Sequence, residues 1–255
     1  MKNLILPTLV FASTSFASLQ AATPIAVTGA NADIIYDGAV GSATPFDIPN
    51  NYTYIGDNIG FGGTTGNPGI PQTFTSLADS SVQFALLGSY TENNVLQLAQ
   101  GQSGTLSFTT PSSYSSLYLL TASAQGQGSG VITILFSDSS ALALNYTSSD
   151  WYNAEGNIAF GAPGVDGIRV KTDTGGYFYS GQGKAPYLFS YEVQIPAAYQ
   201  GLAVQSLNFL VTGTDNANLS SAIFGVSGVA SVPEPSSLML GGAFGLLALS
   251  RRRRN

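Results

Sequence analysis

The sequence predicts an all-β chain: an antiparallel β-sandwich of jelly-roll type, flanked by an N-terminal signal peptide and a single short C-terminal transmembrane helix. Three observations predict the sandwich. The first is composition. Thirty glycines, 13 tyrosines and 14 phenylalanines stand against only 8 lysines and arginines in 255 residues, which favours strands and turns over helices. The second is a period of two. Phe189, Tyr191, Val193 and Ile195 alternate strictly with Ser190, Glu192 and Gln194, so the apolar set shares one face of a strand. The third is punctuation. Short apolar segments recur between Gly, Asn, Asp and Pro clusters. No repeat of about 20 to 30 residues argues for the alternative, a β-helix.

The chain opens with Lys2 and an apolar run from Leu4 to Phe16, broken only by Pro7, Ser13, Thr14 and Ser15. Small residues follow, suited to cleavage after Ala17, Ala21 or Ala22. That is the order of a secretory signal peptide, so residues 1–22 are set apart from a body at 23–231. The first strands are expected at Ile25–Thr28 and Asp33–Tyr36. Pro45–Pro71 reads as long loops around a short strand at Tyr52–Ile55. Ser81–Leu87 reads as a strand, and Asn94–Leu98 fits either a strand or a helical turn. Four strands follow at Gly104–Thr109, Ser116–Ala124, Val131–Ser137 and Ala141–Tyr146. The near-continuous apolar runs Leu117–Leu120 and Ile132–Phe136 predict strands covered on both faces. Gln125–Gly130 and Ser137–Ser140 are the intervening loops, the second a tight hairpin centred on Asp138-Ser139. Trp151–Gly176 reads as loop. The last three strands are set by the Phe189–Ile195 alternation, by Leu207, Phe209 and Val211, and by Ala222–Val229.

Residues 232–255 form a separate tail. Val232-Pro233-Glu234-Pro235-Ser236-Ser237 leads into an apolar run, Leu238–Leu249, then Ser250, four arginines and Asn255. The prolines around Glu234 keep the approach extended. The apolar run is short against the ~20 residues of an ordinary spanning helix. Arg251, Arg252, Arg253 and Arg254 resist translocation. A weak span with a strong positive stop suits a transient anchor with an accessible processing site beside the membrane. These three elements in this order resemble the PEP-CTERM sorting signal. The resemblance implies an exported protein of a Gram-negative bacterium, transiently anchored in the inner membrane and handled by an exosortase-type processing enzyme. It implies that Pro233, Glu234 and Pro235 are the recognition motif and Arg251 to Arg254 the stop. It also implies a setting of exopolysaccharide and biofilm matrix. In the body, Tyr118-Leu119-Leu120, a glycine loop, Ile132–Phe136, Ser137-Asp138-Ser139 and Asp150-Trp151 together are similar to galactose-binding-like sandwiches. That similarity lies in strand order and transfers no site residues.

The chain has no cysteine and no histidine. This removes disulfides, thiolate zinc sites and thiol nucleophiles, along with the commonest general base and the usual catalytic triad. Outside the two ends, 13 acids face only Arg169, Lys171 and Lys184, a net charge near −10. A nucleic-acid partner needs a basic footprint that this body lacks. The expected role is structural or adhesive, at the cell surface or in the biofilm matrix, and not enzymatic. The alternative is a carbohydrate-binding module for an extracellular polysaccharide, and a second alternative is a glycoside hydrolase.

Candidate site residues follow from the same reading. Asp150, Trp151 and Tyr152 put the only tryptophan beside polar groups. Such a loop holds sugars by ring stacking and hydroxyl bonds, or it closes one end of the sandwich. Tyr177 and Tyr179 share a face if they lie on a strand, as a flat platform for a glycan or as a packed edge. Calcium is the one metal this composition permits, because it takes oxygen ligands alone. Asp33 and Asp37, near the start, and Asp215 and Asn216, near the end, are the first candidate ligands; Asp166 and Asp173 are the second. No other cofactor is expected. Glycoside hydrolysis needs only two carboxylates. Outside the tail the glutamates are Glu92, Glu155 and Glu192, none in a recognisable catalytic motif.

Overall fold

A computed structural model of the chain describes residues 20–57, 59, 69–161, 168–179, 186–213, 216 and 218–231. Residues 1–19 of the expected signal peptide, and the tail from residue 232 with the expected transmembrane helix, the sorting motif and the arginines, lie outside the described residues. Among the described residues the strands, in chain order, are β1 (Thr23–Pro24), β2 (Val27–Thr28), β3 (Ile35–Tyr36), β4 (Tyr52–Ile55), β5 (Thr73–Thr75), β6 (Gln83–Ala85), β7 (Leu96–Ala99), β8 (Ser103–Ser112), β9 (Tyr114–Ala124), β10 (Gly128–Phe136), β11 (Ala141–Ser148), β12 (Ile158–Phe160), β13 (Ile168–Lys171), β14 (Tyr177–Tyr179), β15 (Leu188–Gln194), β16 (Val204–Val211) and β17 (Ser220–Ala230). Two short 3-10 turns, Ile48–Asn50 and Ala197–Tyr199, are the helical elements described.

Two antiparallel sheets make the sandwich. One has the order β1-β17-β9-β15-β12, with β7 also paired to β17; the other has the order β11-β10-β16-β8-β2. The long strands cross repeatedly between the sheets. β8 lies in the five-stranded sheet, β9 in the six-stranded one, β10 and β11 back in the first, and β15, β16 and β17 alternate again. Period-two alternation drives the packing. Leu106, Ile132, Ile134, Leu207 and Phe209 of the five-stranded sheet meet Leu117, Leu119, Ile223 and Val226 of the other.

The opposite face of the six-stranded sheet is covered as well. A four-stranded sheet of order β14-β13-β4-β3 and the β5-β6 hairpin form a partial third layer. There Leu120, Ala122, Ala222 and Phe224 bury against Phe46, Tyr54, Phe84 and Trp151. With both faces covered, β9 and β17 are buried almost end to end, which explains the continuous apolar run in β9.

Several expectations are corrected. Ile132–Phe136 is covered on one face only. Ile132, Ile134 and Phe136 are buried, whereas Leu135 is 38% exposed. Gln125–Gly130 is not all loop, because β10 begins at Gly128 and Gly130 pairs with both Tyr146 and Val211. A Cβ at Gly130 would run into the Leu210 carbonyl oxygen, so this glycine marks a close backbone approach inside a strand. Trp151–Gly176 contains β12 and β13. Asn94–Leu98 resolves as strand β7. The β3–β4 pair is parallel. The Asp138-Ser139 hairpin forms as expected: Ser139 takes φ +68° and Asp138 Oδ1 accepts from the Ser140 amide at 2.9 Å.

Candidate functional site

The site is built where the third layer meets the end of β9. Ser123, one residue before that end, organises the crossing. Its carbonyl accepts from the Trp151 amide at 2.7 Å and its amide donates to Ser149 O at 2.8 Å. Its hydroxyl donates to Ser148 O at 2.8 Å and accepts from the Gly128 amide at 3.1 Å. These bonds strap residues 148–151 to β9 and drive the Trp151 ring inward. The ring is 2% exposed, edge-on to Tyr54 at 5.0 Å and to Phe46 at 5.3 Å between centroids. A ring so enclosed has no free face for a sugar. Trp151 is a packing residue at the base of a site whose working groups are its neighbours.

Those neighbours line a polar surface cleft of about 370 Å³, formed by Asp47, Asn50, Gln125, Asp150, Trp151, Tyr152 and Arg169. Asp47 follows core residue Phe46 and opens the first 3-10 turn. It is 4% exposed, which demands hydrogen-bond partners. Its Oδ1 accepts from Gln125 Nε2 at 2.7 Å and from Asn50 Nδ2 at 3.1 Å, and its Oδ2 accepts from Asn50 Nδ2 at 3.0 Å. Gln125 reaches Asp47 from a left-handed conformation, φ +67°, and Asn51 closes the 3-10 turn at φ +57°. Non-glycine residues held there cost free energy and cluster at functional sites. Asp150 Oδ1 accepts from the Tyr152 amide at 3.0 Å. Burial pushes the Asp150 carboxyl above the usual carboxylate range, the nearby charges of Asp47 and Glu155 add to this, and backbone hydrogen bonds from Tyr152 and Gly126 partly offset it.

The cation of the cleft is Arg169 on β13. Its guanidinium carbon lies 4.1 Å from the centroid of the Tyr52 ring and 5.0 Å from that of Tyr152. Stacking of this kind immobilises the planar group. Its Nε is buried and has no hydrogen-bond partner among the described residues. In the β13–β14 ladder Arg169 stands opposite Phe178, so both side chains share a face. Phe178 is 40% exposed and packs edge-on against the other side of this group, 5.4 Å from Tyr52. Tyr152, Arg169, Tyr52 and Phe178 thus form one continuous row.

The other sequence candidates lie elsewhere. Tyr177 is on the opposite face of β14 from Phe178, edge-on to Tyr36 at 6.3 Å; the side chain of Tyr179 lies outside what is described. Asp33 Oδ1 accepts from Asn94 Nδ2 at 2.6 Å. Asp37 Oδ1 accepts from the Ala39 amide and, at 2.9 Å, from Ser42 Oγ, forming a local turn. Asn216 donates to the Gln125 carbonyl at 2.9 Å. Asp173 Oδ2 accepts from Asn51 Nδ2 at 3.1 Å. Asp215 and Asp166 lie outside the described residues. Among the described residues no group of three or more carboxylates is gathered for a metal ion. Glu192 is exposed and accepts from Tyr118 Oη at 3.0 Å. Sequence reading missed Asp47, Asn50, Tyr52, Gln125, Arg169 and Phe178. Arg169 carried one signal, being one of three bases in the body; the others gather only through the loop layer.

Comparison with known proteins adds little about the body. No match is found among curated proteins. Among solved structures the chain is similar to two variants of CBM29-2, from a study of ligand recognition by family 29 carbohydrate-binding modules. Each shows 9% identity and a TM-score of 0.29, over 79% and 80% of this chain and 91% and 97% of theirs. It is also similar to the Agl-KA catalytic domain, with 10% identity and a TM-score of 0.30, over 89% of this chain but 32% of that one. At such values nothing is transferred from them. Among the described residues no helix is long and apolar enough to cross a membrane. The tail is informative. Residues 231–254 match the PEP-CTERM protein-sorting motif, so the chain carries the C-terminal sorting signal of an exported protein that an exosortase processes.

Proposed function

We propose that this protein is a structural and adhesive component of the cell surface or biofilm matrix of a Gram-negative bacterium, without catalysis of its own. The observation that supports the reading is the sorting motif at residues 231–254 following an all-β body rich in exposed Ser, Thr and Asn. The body is held by ladders and apolar layers rather than by disulfides, as the absence of cysteine requires. The test is fractionation of an epitope-tagged full chain in a host with and without its exosortase. The expected result is a shortened form at the surface or in the matrix of the intact host, and an uncut, membrane-retained form without the enzyme. A chain that stays uncut and periplasmic in both would overturn the proposal.

A second reading, a carbohydrate-binding module, is favoured by one observation. The cleft presents carboxylates, amides and a stacked arginine together, and polar groups of this kind fix the orientation of a hydroxylated ligand. Saturable binding of any polysaccharide to the purified chain supports it, and no binding across a broad panel removes it.

A further inference from the structure

We infer that the cleft takes a neutral, hydroxyl-rich sugar, held between the Asp150 carboxylate and the Arg169 guanidinium, with a following sugar ring on Phe178. This inference rests on the carbohydrate-binding reading and names its site and ligand class. The charge pattern selects the ligand. An anion, such as a phosphate or a uronate, would satisfy Arg169 but would meet Asp47, which is 4% exposed, and Asp150 on the same wall. A cation would satisfy the acids but would meet a guanidinium that its two tyrosines keep from swinging away. A hydroxyl is both donor and acceptor, and one group can bond Arg169 and Asp150 at once without adding charge to the cleft.

The hydrogen-bond inventory points the same way. Asp47 is engaged on both oxygens by Asn50 and Gln125, so it serves as an anchor that fixes these two amides. Asp150 accepts from the Tyr152 amide and from the Gly126 amide, and its two oxygens still hold lone pairs for a further donor. Arg169 Nε is buried without a hydrogen-bond partner among the described residues, and the Tyr52 and Tyr152 rings hold the guanidinium at the cleft lining. A cationic donor, Arg169, and a carboxylate acceptor, Asp150, therefore lie on one lining. The cleft volume of about 370 Å³ falls at the small end of ligand sites, enough for a short stretch of sugar. Phe178 lies beside the row formed by Arg169 and Tyr52, and its exposed ring extends the track for the next unit.

The test is calorimetric titration of the full chain with neutral gluco-, manno- and galacto-hexasaccharides, with an oligouronate of equal length as the charged probe. At least one neutral hexasaccharide should bind saturably and more tightly than the oligouronate. Asp150→Asn and Arg169→Gln should each weaken it about tenfold, the loss expected for a hydrogen bond to a charged group. Phe178→Ala should weaken a hexasaccharide more than a disaccharide. Asp150→Asn keeps an acceptor for the Tyr152 amide, so it tests the site even if Arg169→Gln fails to fold. Tighter oligouronate binding overturns the ligand class. Neutral binding untouched by these variants overturns the site while leaving the carbohydrate-binding reading in place. No binding to any probe removes both, and neither result alters the fractionation outcome.

Discussion

The two faces of the six-stranded sheet are covered by different kinds of structure. Toward the five-stranded sheet the partners are long strands in continuous ladders with one register shift each, and the layer is built largely from Leu, Ile and Val, with Phe108, Tyr114, Phe136, Tyr146 and Phe209 as its buried rings. Toward the third layer the partners arrive on loops and short strands, and the packing is aromatic. Phe46, Tyr54, Trp151 and Phe224 meet edge-on or tilted at 5.0 to 6.0 Å. The polar cleft opens on this second side. The ladder layer is locked by alternation and hydrogen bonding. The loop layer borrows rigidity from β9 and β17 and spends its loops on positioning polar groups, the usual division between scaffold and site.

The largest effect should come from removing one ring on each face. Phe209 and Phe46 are both fully buried, and Phe→Ala at such sites costs about 3–5 kcal/mol. Phe209→Ala should lower the urea midpoint of the whole body as one transition. Phe46→Ala should open the loop layer first, so hydrogen exchange rises in residues 45–55 and 148–152 while amides of β10 and β16 stay protected. Equal loss of protection in both layers would show that the two faces fold as one unit and would break the comparison.

A smaller effect is expected at Asp47. Asp47→Ala removes a 4% exposed carboxylate together with the hydrogen bonds it accepts from the exposed Asn50 and the half-buried Gln125. A hydrogen bond to a charged group contributes about 1.5–3 kcal/mol, and the exposure of Asn50 places the expected loss at the low end of that range. Urea unfolding should show a loss in that range, accompanied by faster proteolysis near Asn51. A loss below about 0.5 kcal/mol, the level of an ordinary surface change, would mean that water already serves these amides.

The same contrast explains what could be read from the sequence. The long strands were legible because their cause is local. The alternation through Phe189–Ile195 and the run Leu117–Leu120 state their own burial, and Asp138-Ser139 states its turn. β13 was not legible, since Ile168–Lys171 is short, flanked by turn residues, and held as a strand by the equally short β14 and by β4 from more than a hundred residues away. The site was half visible. Asp150 and Tyr152 flank the only tryptophan, which drew attention to the right loop for a reason that does not survive, because the indole is inside. Asp47 and Gln125 join across 78 residues, and no local pattern encodes that meeting.

Asp33 should show a pH-dependent effect of modest size. Burial chiefly lifts its carboxyl from the ordinary 3.8 to about 6, and the Asp37 charge adds to this. The Asn94 hydrogen bond and a backbone bond from Ile35 act against it. The folded state therefore binds more protons than the unfolded state between about pH 4 and 6. Stability from this group is full below that window and is lost as pH rises through it. Asp33→Asn mimics the protonated form, so it should raise the melting temperature at pH 8 and leave it unchanged at pH 4. A gain of equal size at both pH values would assign the effect to packing.

The smallest effects are expected on the outer face of the five-stranded sheet. There Leu135 and Leu210 are 38% and 39% exposed, among Thr133, Asn208, Thr105 and Asn145, with Asn208 Nδ2 donating to Thr105 Oγ1 at 2.9 Å. Nothing packs on these two leucines from outside within the described chain, and Thr keeps the β-branched shape that strands favour. Leu135→Thr and Leu210→Thr should each change unfolding free energy by less than about 0.5 kcal/mol, read from urea midpoints at low protein concentration. If either variant loses much more, and the loss grows with concentration in the parent chain, this face is held by a second copy. The division between a closed ladder layer and a working loop layer would then have to be redrawn.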